Sequence, residues 1–406
     1  MNRIRIALHV FGSLLLCCVL TQPAGAAEEK LKVFILAGQS NMVGHSRGHT
    51  MGTLFNADGP KDQTLVDLVF ADNAKLSESR LDETLALARQ LNELTGGIGD
   101  PKIKAMTDAT QKAAAEAEAE RMKASLEAYK KDVVAASAVS DRVYITSIAD
   151  NNKKSGRLGV GYGGDQSKIG PEYAFGLSMA QKIDGPILLI KTSWGGKSLN
   201  YDFRPPSAGP YALNEKEKAM DNPDEIQRNA GQFYRRMNEA VHQVLDNLKE
   251  NHPAYDPAAG YEIVGFIWFQ GFNDQFDPAF KANYKDNMVA FIKDVRREYN
   301  VPNMPFVIGV LGTGQTRVNV DGNAVSVAQR EAAAGPEFKG NVVAVESYTE
   351  YALDSLEVFN AGWQKKYYEW DLVGSDRPYH YLGSGKFFVR LGDAFASAMA
   401  GMIPKP

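Results

Sequence analysis

The amino-acid sequence predicts an α/β fold in which helices cover both faces of a parallel sheet. Five short runs consist almost wholly of apolar residues, at 33–36, 187–190, 263–269, 305–310 and 342–345. Runs of this length without polar alternation are typical of strands that are buried on both faces of a sheet. Segments with helical spacing separate most of the runs, and polar or glycine-rich segments follow them. We therefore predict a three-layer α/β/α sandwich with a flavodoxin-like parallel sheet, whose functional groups lie at the carboxyl ends of the strands.

The N-terminus has the composition of a secretory signal peptide. Arg3 and Arg5 precede an apolar stretch over residues 6–20, and small residues follow at 24–27. The apolar stretch is shorter than a comfortable membrane span, so we expect residues 1–27 to be cleaved rather than to anchor the protein. This interpretation places the mature protein in a bacterial periplasm or outside the cell, without a membrane span.

Cysteine usage and charge narrow the functions further. The chain of 406 residues has two cysteines, Cys17 and Cys18, and both lie in the predicted signal peptide. The predicted mature domain, residues 28–406, therefore has no disulfide, thiol nucleophile or cysteine metal site. A lipid attached to either cysteine stays a minor alternative, because Leu16 is not the small residue that lipoprotein signals usually carry there. The net charge of −4 does not indicate a nucleic-acid or anionic-membrane partner.

A serine follows the first predicted strand. Residues 38–42, Gly-Gln-Ser-Asn-Met, come just after the apolar run at 33–36. Ser40 would stand on the first turn beyond the strand, where a helix N-terminus supplies backbone N–H groups to a developing negative charge. From this segment alone, a nucleophile and a serine that caps a helix are both open.

Helix-forming residues dominate the next part of the chain. Apolar residues recur at helical spacing over 77–94, and residues 102–138 are rich in Ala, Glu, Lys and Met. The polarity of the second stretch indicates a long, largely solvated helix or helical hairpin. We predict a helical insertion over about residues 77–140, and a lid or partner-binding arm is its functional alternative.

Two glycines and an arginine follow the strand predicted over 187–190. Gly195 and Gly196 would let the backbone approach a ligand and point its N–H groups inward, although such a pair is also typical of a plain turn. Arg204 lies in the next loop. Its guanidinium is expected either to bind a hydroxyl or carboxylate of a substrate or to pair with Asp202.

One histidine is the natural base for a serine nucleophile. Serine is a poor nucleophile at neutral pH, so it needs a base, and the base needs a group that orients it. The predicted mature chain has five histidines. Of these, His380 alone has a nearby aspartate, Asp376, in a loop that leads into a helix predicted over 384–402. His380 is therefore the candidate base.

Taken in order, these blocks resemble the SGNH-type hydrolases and, more narrowly, the sialate O-acetylesterase and carbohydrate esterase family six group. The matching segments are Gly-Gln-Ser-Asn-Met at 38–42, Gly-Pro-Glu at 170–172 with Phe-Gly at 175–176, the glycines at 195–196, Gln-Gly at 270–271 with Asp at 274, and the loop at 376–380. The order of the blocks is more specific than any one of them.

The resemblance implies a role for each block. Ser40 is the nucleophile, and its own N–H belongs to the oxyanion hole. A backbone N–H of Gly195 or Gly196 and the side chain of Gln270 complete that hole. An amide side chain at a strand end suits this role, because it is neutral and directional.

The sequence departs from the family pattern at two places. Phe272 stands where the family has a glutamate, which removes any hydrogen-bond network through that carboxylate. The family spaces its acid and base as Asp-x-x-His, whereas Asp376 and His380 are one residue further apart, with Arg377 at the usual aspartate position. We expect Pro378 to bulge the loop and restore the contact. Otherwise a carbonyl or a carboxylate from elsewhere orients the imidazole.

The sequence thus predicts an exported serine esterase that removes O-acetyl groups from carbohydrates through an acetyl-enzyme, without a metal or cofactor. The expected partner is an acetylated oligo- or polysaccharide, and the residues expected to contact it are Gln39, Asn41, Arg204 and Asp274. Two alternatives stay open, namely a non-catalytic glycan-binding protein on the same fold and an esterase that acts on non-carbohydrate esters. The sequence specifies neither the sugar nor the oligomeric state.

Overall fold

The computed structural model describes residues 29–59, 61–71, 74–150 and 152–403. The predicted signal peptide, residues 1–27, lies outside the described residues. The strands in chain order are β1 Leu31–Gly38, β2 Ser46–Arg47, β3 Val143–Ala149, β4 Asn152–Arg157, β5 Lys168–Ile169, β6 Ile187–Ser193, β7 Tyr261–Phe269, β8 Phe306–Val310 and β9 Val342–Glu346.

Seven strands form the central sheet, in the order β4-β3-β6-β1-β7-β8-β9. All neighbouring pairs are parallel except β3 and β4, and β2 pairs with β5 in a separate antiparallel ribbon. The five apolar runs of the sequence are β1, β6, β7, β8 and β9. Their order in the sheet corresponds to the 2-1-3-4-5 order of flavodoxin-like sheets, so the predicted fold class is confirmed. β1 lies between β6 and β7, where the strand order reverses, and this switch point is where such sheets bind ligands.

Strand β1 is buried on both faces. Its side chains alternate between two hydrophobic cores, with Phe34 and Leu36 in one core and Val33, Ile35 and Ala37 in the other. Successive residues of a strand point to opposite faces, so a strand between two helical layers needs apolar residues at every position. This requirement explains the unbroken apolar run in the sequence.

Helices cover both faces of the sheet. The α-helices are α1 Ser40–Val43, α2 Asp62–Val69, α3 Glu78–Thr95, α4 Pro101–Lys104, α5 Ala109–Ala136, α6 Glu172–Lys182, α7 Glu215–Lys218, α8 Pro223–Asn229, α9 Gln232–Leu245, α10 Leu248–Asn251, α11 Pro278–Glu298, α12 Arg317–Asp321, α13 Ala324–Ala333, α14 Leu353–Asn360, α15 Tyr367–Val373 and α16 Gly385–Ala400. Short 3-10 helices span Gly48–Phe55, Pro206–Ala208, Asp274–Phe276, Pro336–Phe338, Ser347–Glu350 and Pro378–Gly383. α6 and α16 pack on one face through Phe175 and Phe388, and α9, α11 and α13 contribute Met237, Phe291 and Val325 to the core on the other.

The segment predicted as a helical insertion, 77–140, contains α3, α4 and α5. A stripe of α5 is buried in the same core as α6 and α16, and its residues are Ala115, Ala119, Leu126, Tyr129 and Val133. More than half of the residues of α5 are exposed, so the helix is largely solvated as its composition predicts, apart from this buried stripe. Alanine is both a helix former and a small core residue, so an alanine-rich sequence conceals the buried side. No helix among the described residues is both long and apolar enough to cross a membrane.

Candidate active site

The nucleophile candidate stands at the switch point of the sheet. β1 ends at Gly38, where a Cβ atom would overlap the carbonyl oxygen of Phe269 on β7, so only glycine allows this close approach. Ser40 then opens α1. Between residues 33 and 44, Ser40 is the one residue that is not buried. Neither its N–H nor its hydroxyl has a hydrogen-bond partner among the described residues. The serine is therefore open to a ligand.

A fully buried ion pair supports this turn from below. Lys191 at the end of β6 lies 3.0 Å from the Glu172 carboxylate, and both side chains are at most 1% exposed. The Lys191 Nζ also donates to the carbonyl oxygens of Val43 on α1 and Tyr162. Burial raises the pKa of Glu172 and lowers that of Lys191, and the opposite charge of each partner counteracts that effect. Each of the two side chains therefore needs the charge of the other to stay ionised in the buried site.

We expect Lys191→Met to lower the free energy of unfolding by about 3–5 kcal/mol, because it leaves the Glu172 carboxylate buried without its partner. Urea denaturation measures this change. The matched control is Lys285→Met, since Lys285 pairs with Glu331 at the surface and both side chains are about half exposed. Equal stability of the two variants would contradict the supporting role of the buried pair.

The loop of the candidate base lies against the nucleophile turn. Asn41, next to Ser40, donates from its side-chain amide to the carbonyl oxygen of Tyr379 at 3.1 Å, and Tyr379 precedes His380. Nδ1 of His380 is buried and lies 3.2 Å from Oδ2 of Asp376. The structure thus brings together the segments of Ser40, Asp376 and His380. Because Nδ1 faces the aspartate, Nε2 is the ring nitrogen left for a serine proton.

The loop that carries Asp376 and His380 ends in an unusual backbone. Tyr381, Leu382 and Gly383 all have left-handed φ angles, of 48°, 64° and 56°. The carbonyl oxygen of Leu382 accepts from the N–H groups of Ser375 and Asp376, which closes the loop. Pro378 opens the 3-10 helix that carries His380, and the expected bulge at this residue stays a prediction. Left-handed non-glycine residues are strained and persist where the surroundings hold them.

Tyr381 shows what holds this strained loop. Its side chain is 1% exposed, and its hydroxyl donates to or accepts from Ser347 Oγ at 2.8 Å and accepts from the N–H of Gly312 at 2.9 Å. Its ring stacks on Phe387 of α16 at a centroid distance of 4.0 Å. The loop is thus anchored to the ends of β8 and β9 and to the C-terminal helix.

A second imidazole that the sequence reasoning had not assigned shares the aspartate. The ring of His45 stacks on that of His380 with centroids 4.1 Å apart and planes 4° from parallel, and its Nδ1 lies 3.6 Å from Oδ2 of Asp376. Burial, reinforced by His380, lowers the pKa of His45 to about 4. Burial opposes ionisation of Asp376, but the adjacent imidazole of His380 and a hydrogen bond from the Arg377 N–H outweigh it and hold the Asp376 pKa below its usual value. The aspartate is therefore a carboxylate that faces two imidazoles.

The same three side chains offer ligand types that a metal ion accepts. One nitrogen or oxygen atom of each of His45, Asp376 and His380 lies within 4.8 Å of the others. A metal lies in the plane of each imidazole that binds it, however, and these two rings are stacked nearly parallel. One ion therefore cannot bind both rings in this arrangement.

We expect His45→Asn to change the pH dependence of stability. The folded pKa of His45, about 4, is below the ordinary value of 6.5, so between these pH values the unfolded chain binds more protons. Stability contributed by neutral His45 is thus present above pH 6.5 and is lost as pH falls. Between pH 7 and pH 5 the wild type should lose about 1–2 kcal/mol more unfolding free energy than the variant. Urea denaturation at both pH values measures the difference, and parallel losses in the two proteins would refute the assignment.

The two glycines after β6 differ in what their N–H groups contact. A Cβ atom on Gly195 would lie 4.0 Å from Cβ of Ser40, so Gly195 borders the nucleophile. Its N–H donates to Oδ1 of Asp150 at 3.0 Å. The N–H of Gly196 has no acceptor among the described residues. An oxyanion could thus accept from the N–H groups of Ser40 and Gly196 as they stand, and from Gly195 only if Asp150 moves.

Gln270 uses its side chain internally. It is 3% exposed, and its amide nitrogen donates to Asp274 at 2.6 Å and to the Lys197 carbonyl at 2.9 Å. Its oxygen accepts from the hydroxyl of Tyr284 at 2.9 Å. In this arrangement no donor of Gln270 is free for an oxyanion, which differs from the expectation.

Asn273, which the sequence reasoning passed over, is the better-placed amide. It is partly exposed, and its Nδ2 donates to the carbonyl oxygen of Gly196 at 3.0 Å. Its side-chain oxygen accepts from Gln39 at 3.2 Å. Its position next to Gln270 in the same strand-end segment was the available signal.

Three residues expected to contact substrate are instead buried supports. Gln39, Asn41 and Asp274 are at most 3% exposed. Oε1 of Gln39 accepts from Gln270, while Asn41 holds the loop of His380. Asp274 accepts from Gln270 and from the N–H groups of Leu199 and Asn200, and burial raises its pKa to about 6 against those bonds. The side chains of these three residues turn into the protein and contact other protein groups, and their contact with a substrate stays a prediction.

Arg204 does not pair with Asp202, and its expected contact with a substrate stays a prediction. Its guanidinium donates to four backbone carbonyl oxygens, those of Asn200, Ala208, Gly209 and Pro210. Asp202 pairs with Lys197 instead, at 3.3 Å. A cavity of about 90 Å³ beside Arg204 is lined by none of the catalytic candidates. Arg204 therefore stabilises its own loop.

Comparison with known proteins assigns the family. The mostly parallel sheet with helices on both sides is consistent with an SGNH-like hydrolase fold. The family model for carbohydrate esterase, sialic acid-specific acetylesterase, matches residues 148–350, which is half of the chain. The protein belongs to this family of carbohydrate esterases. The matched part includes Gly195, Gly196 and Asn273, whereas Ser40 and His380 lie outside it.

Solved structures with a similar fold have low sequence identity. They include a protein from Arabidopsis thaliana (17% identity, TM-score 0.44, 91% of this chain and 98% of that chain), a carbohydrate acetylesterase from Xanthomonas citri (10%, 0.35, 77% and 49%) and NanS (11%, 0.37, 79% and 78%). A search of curated proteins gave no significant match.

Proposed function

We propose that the protein is a serine esterase that removes O-acetyl groups from carbohydrates through an acetyl-enzyme. The observation that supports the proposal is that the segment of Ser40 contacts the loop of Asp376 and His380, through the hydrogen bond from Asn41 to Tyr379, at the switch point of the sheet. Ser40 is the one partly exposed residue of the otherwise buried segment 33–44, and an aspartate lies 3.2 Å from the imidazole of the neighbouring loop. This is the arrangement that a serine nucleophile requires.

The mechanism follows from the positions of these groups. Nε2 of His380 takes the proton of Ser40 Oγ, which attacks the acetyl carbonyl carbon. His380 returns the proton to the sugar oxygen as that oxygen leaves, and a water molecule then attacks the acetyl-enzyme with His380 again as base. Asp376 orients the ring through Nδ1 and stabilises the imidazolium. His45 limits the movement of that ring by stacking on it.

The negative charge of the tetrahedral intermediate needs donors on one side of Ser40. The N–H groups of Ser40 and Gly196 are open, and the side chain of Asn273 borders Gly196. We assign the oxyanion hole to these three groups, with Gly195 as a further donor once Asp150 releases it. Gln270 then acts as the residue that positions Asp274 and the strand end, rather than as a donor.

Export is part of the same proposal. The basic, apolar and small-residue segments over 1–27 support cleavage of a signal peptide and a place outside the cytoplasm, where acetylated polysaccharides occur.

The test measures acetate that the purified protein, expressed without its first 27 residues, releases from a substrate. Partially acetylated xylan and O-acetylated sialic acid serve as substrates, and acetate is measured enzymatically. We expect release from at least one of them. A folded protein that binds these carbohydrates but releases no acetate would favour the glycan-binding alternative, and turnover of simple esters alone would favour a non-carbohydrate esterase.

A further inference from the structure

An exposed row of aromatic rings leads away from the candidate base. The rings of His380 and Tyr379 have centroids 4.5 Å apart, those of Tyr379 and Phe272 are 5.8 Å apart, and those of Phe272 and Phe276 are 5.1 Å apart. Tyr379 is 43% exposed and Phe276 is 68% exposed. We name Phe272, Phe276 and Tyr379 the aromatic row. Large exposed aromatic rings in contact with one another mark a binding surface.

The backbone that carries the row is held in place. Phe276 ends the 3-10 helix Asp274–Phe276, and the buried carboxylate of Asp274 ties the start of that helix to the N–H groups of Leu199 and Asn200. The carbonyl oxygen of Tyr379 accepts from Asn41. Binding to such a row therefore costs little ordering of the protein.

The charged side chains next to the aromatic row in the chain, Arg377 and Asp277, contact other parts of the protein. The Arg377 guanidinium lies 4.4 Å from the ring centroid of Trp363, and the Asp277 carboxylate caps α11 by accepting from the N–H groups of Ala279 and Phe280. Asn273 and Gln275, which stand between Phe272 and Phe276 in the chain, are partly exposed amides. The aromatic row thus suits a ligand that has an uncharged apolar face with hydroxyl groups at its edge.

The position of the row identifies its occupant. It begins in contact with the imidazole of His380, so a protein that covered it permanently would also cover the candidate base. The occupant is therefore part of the substrate. In a pyranose ring the axial C–H bonds form an apolar face that packs flat on an aromatic ring, while the hydroxyl groups stay at the edge.

We propose that the aromatic row is a subsite that binds the C–H face of a neutral sugar ring adjacent to the acetylated one. This inference rests on the proposed function, whose substrate it narrows to an oligo- or polysaccharide with a neutral ring next to the ester. Phe272, where related sequences are expected to carry a glutamate, is the residue that makes the row continuous.

The test measures binding rather than turnover. In a Ser40→Ala background, we would titrate partially acetylated xylohexaose and cellohexaose by calorimetry against the parent and against Phe276→Ala, Phe276→Leu and Phe276→Trp. We expect Phe276→Ala and Phe276→Leu to raise the Kd of the oligosaccharide that binds by about 3- to 10-fold, and Phe276→Trp to retain it. Because Phe276 is exposed, these variants should fold, and circular dichroism checks this.

The control is Ile98→Ala, which removes an exposed apolar side chain, 47% exposed, from the loop between α3 and α4. It should leave the Kd unchanged. The subsite proposal would be overturned if the parent and Phe276→Ala had equal Kd values, or if Phe276→Leu had the same Kd as Phe276→Trp. It would also be overturned if neither oligosaccharide bound. Binding that depends on Phe276 in a protein whose wild type releases no acetate would refute the esterase proposal and retain the subsite.

Discussion

Replacing Ser40 with alanine is expected to lower kcat for acetate release by at least about 10⁴-fold. The hydroxyl is the one side chain of residues 33–44 that is not buried, and it lies at the switch point between β6, β1 and β7. Without it the acetyl group has no acceptor on the protein, and only slow direct attack by water remains. Initial rates of acetate release from the best substrate give the measurement.

The control for this variant is Ser167→Ala. Ser167 is an exposed serine whose hydroxyl donates to Asp165 at 2.6 Å and makes no hydrogen bond to a proposed catalytic group. We expect its kcat to stay within about twofold of wild type, since surface substitutions of this kind change little. Residual activity of Ser40→Ala within tenfold of wild type, in a protein of unchanged stability, would show that another residue is the nucleophile.

The second large effect is expected for His380→Ala. Loss of the base should lower kcat by at least about 10³-fold, because Ser40 then keeps its proton at neutral pH. The residual rate should rise with pH, and added imidazole should restore part of it, since either hydroxide or a free imidazole can replace the missing ring. Rates measured between pH 6 and 9, with and without imidazole, give this profile.

His242→Ala is the matched control. His242 is a partly exposed histidine on α9, and its Nε2 lies 2.8 Å from the carboxylate of Glu298 on α11. Its activity should match that of the wild type. If His380→Ala keeps wild-type kcat while His45→Asn loses it, the two stacked imidazoles have exchanged the roles assigned to them.

The strands predicted from the sequence are those that contain an unbroken run of apolar residues. β6, β8, the second half of β7 and almost all of β1 are buried, and each contains an unbroken apolar run. The edge strand β9 is only partly buried but contains such a run as well. β4, with the sequence Asn-Lys-Lys-Ser-Gly-Arg, lies at the edge of the sheet and needs no such run. The ribbon of β2 and β5 has two residues in each strand. Neither leaves a hydrophobic pattern that could be recognised in the sequence.

In the candidate site, too, some residues could be predicted from the sequence and others could not. Ser40 and His380 could be proposed because residue type and position at a strand end or before a helix suggest their chemistry. The direction of a side chain cannot be inferred in that way, so Gln39, Asn41 and Asp274 were assigned to substrate although they are buried. His45 was missed because its contact with His380 joins residues far apart in the chain, and a single sequence carries no signal for such a pair.

The central claim is that Ser40 is a nucleophile activated by His380, and covalent labelling tests it most directly. The wild-type protein is incubated with diethyl p-nitrophenyl phosphate, which phosphorylates activated serines, and the modified peptide is located by mass spectrometry. Our account predicts one adduct, on Ser40, and a much slower reaction in His380→Ala. No adduct, or an adduct on a different residue, would contradict it.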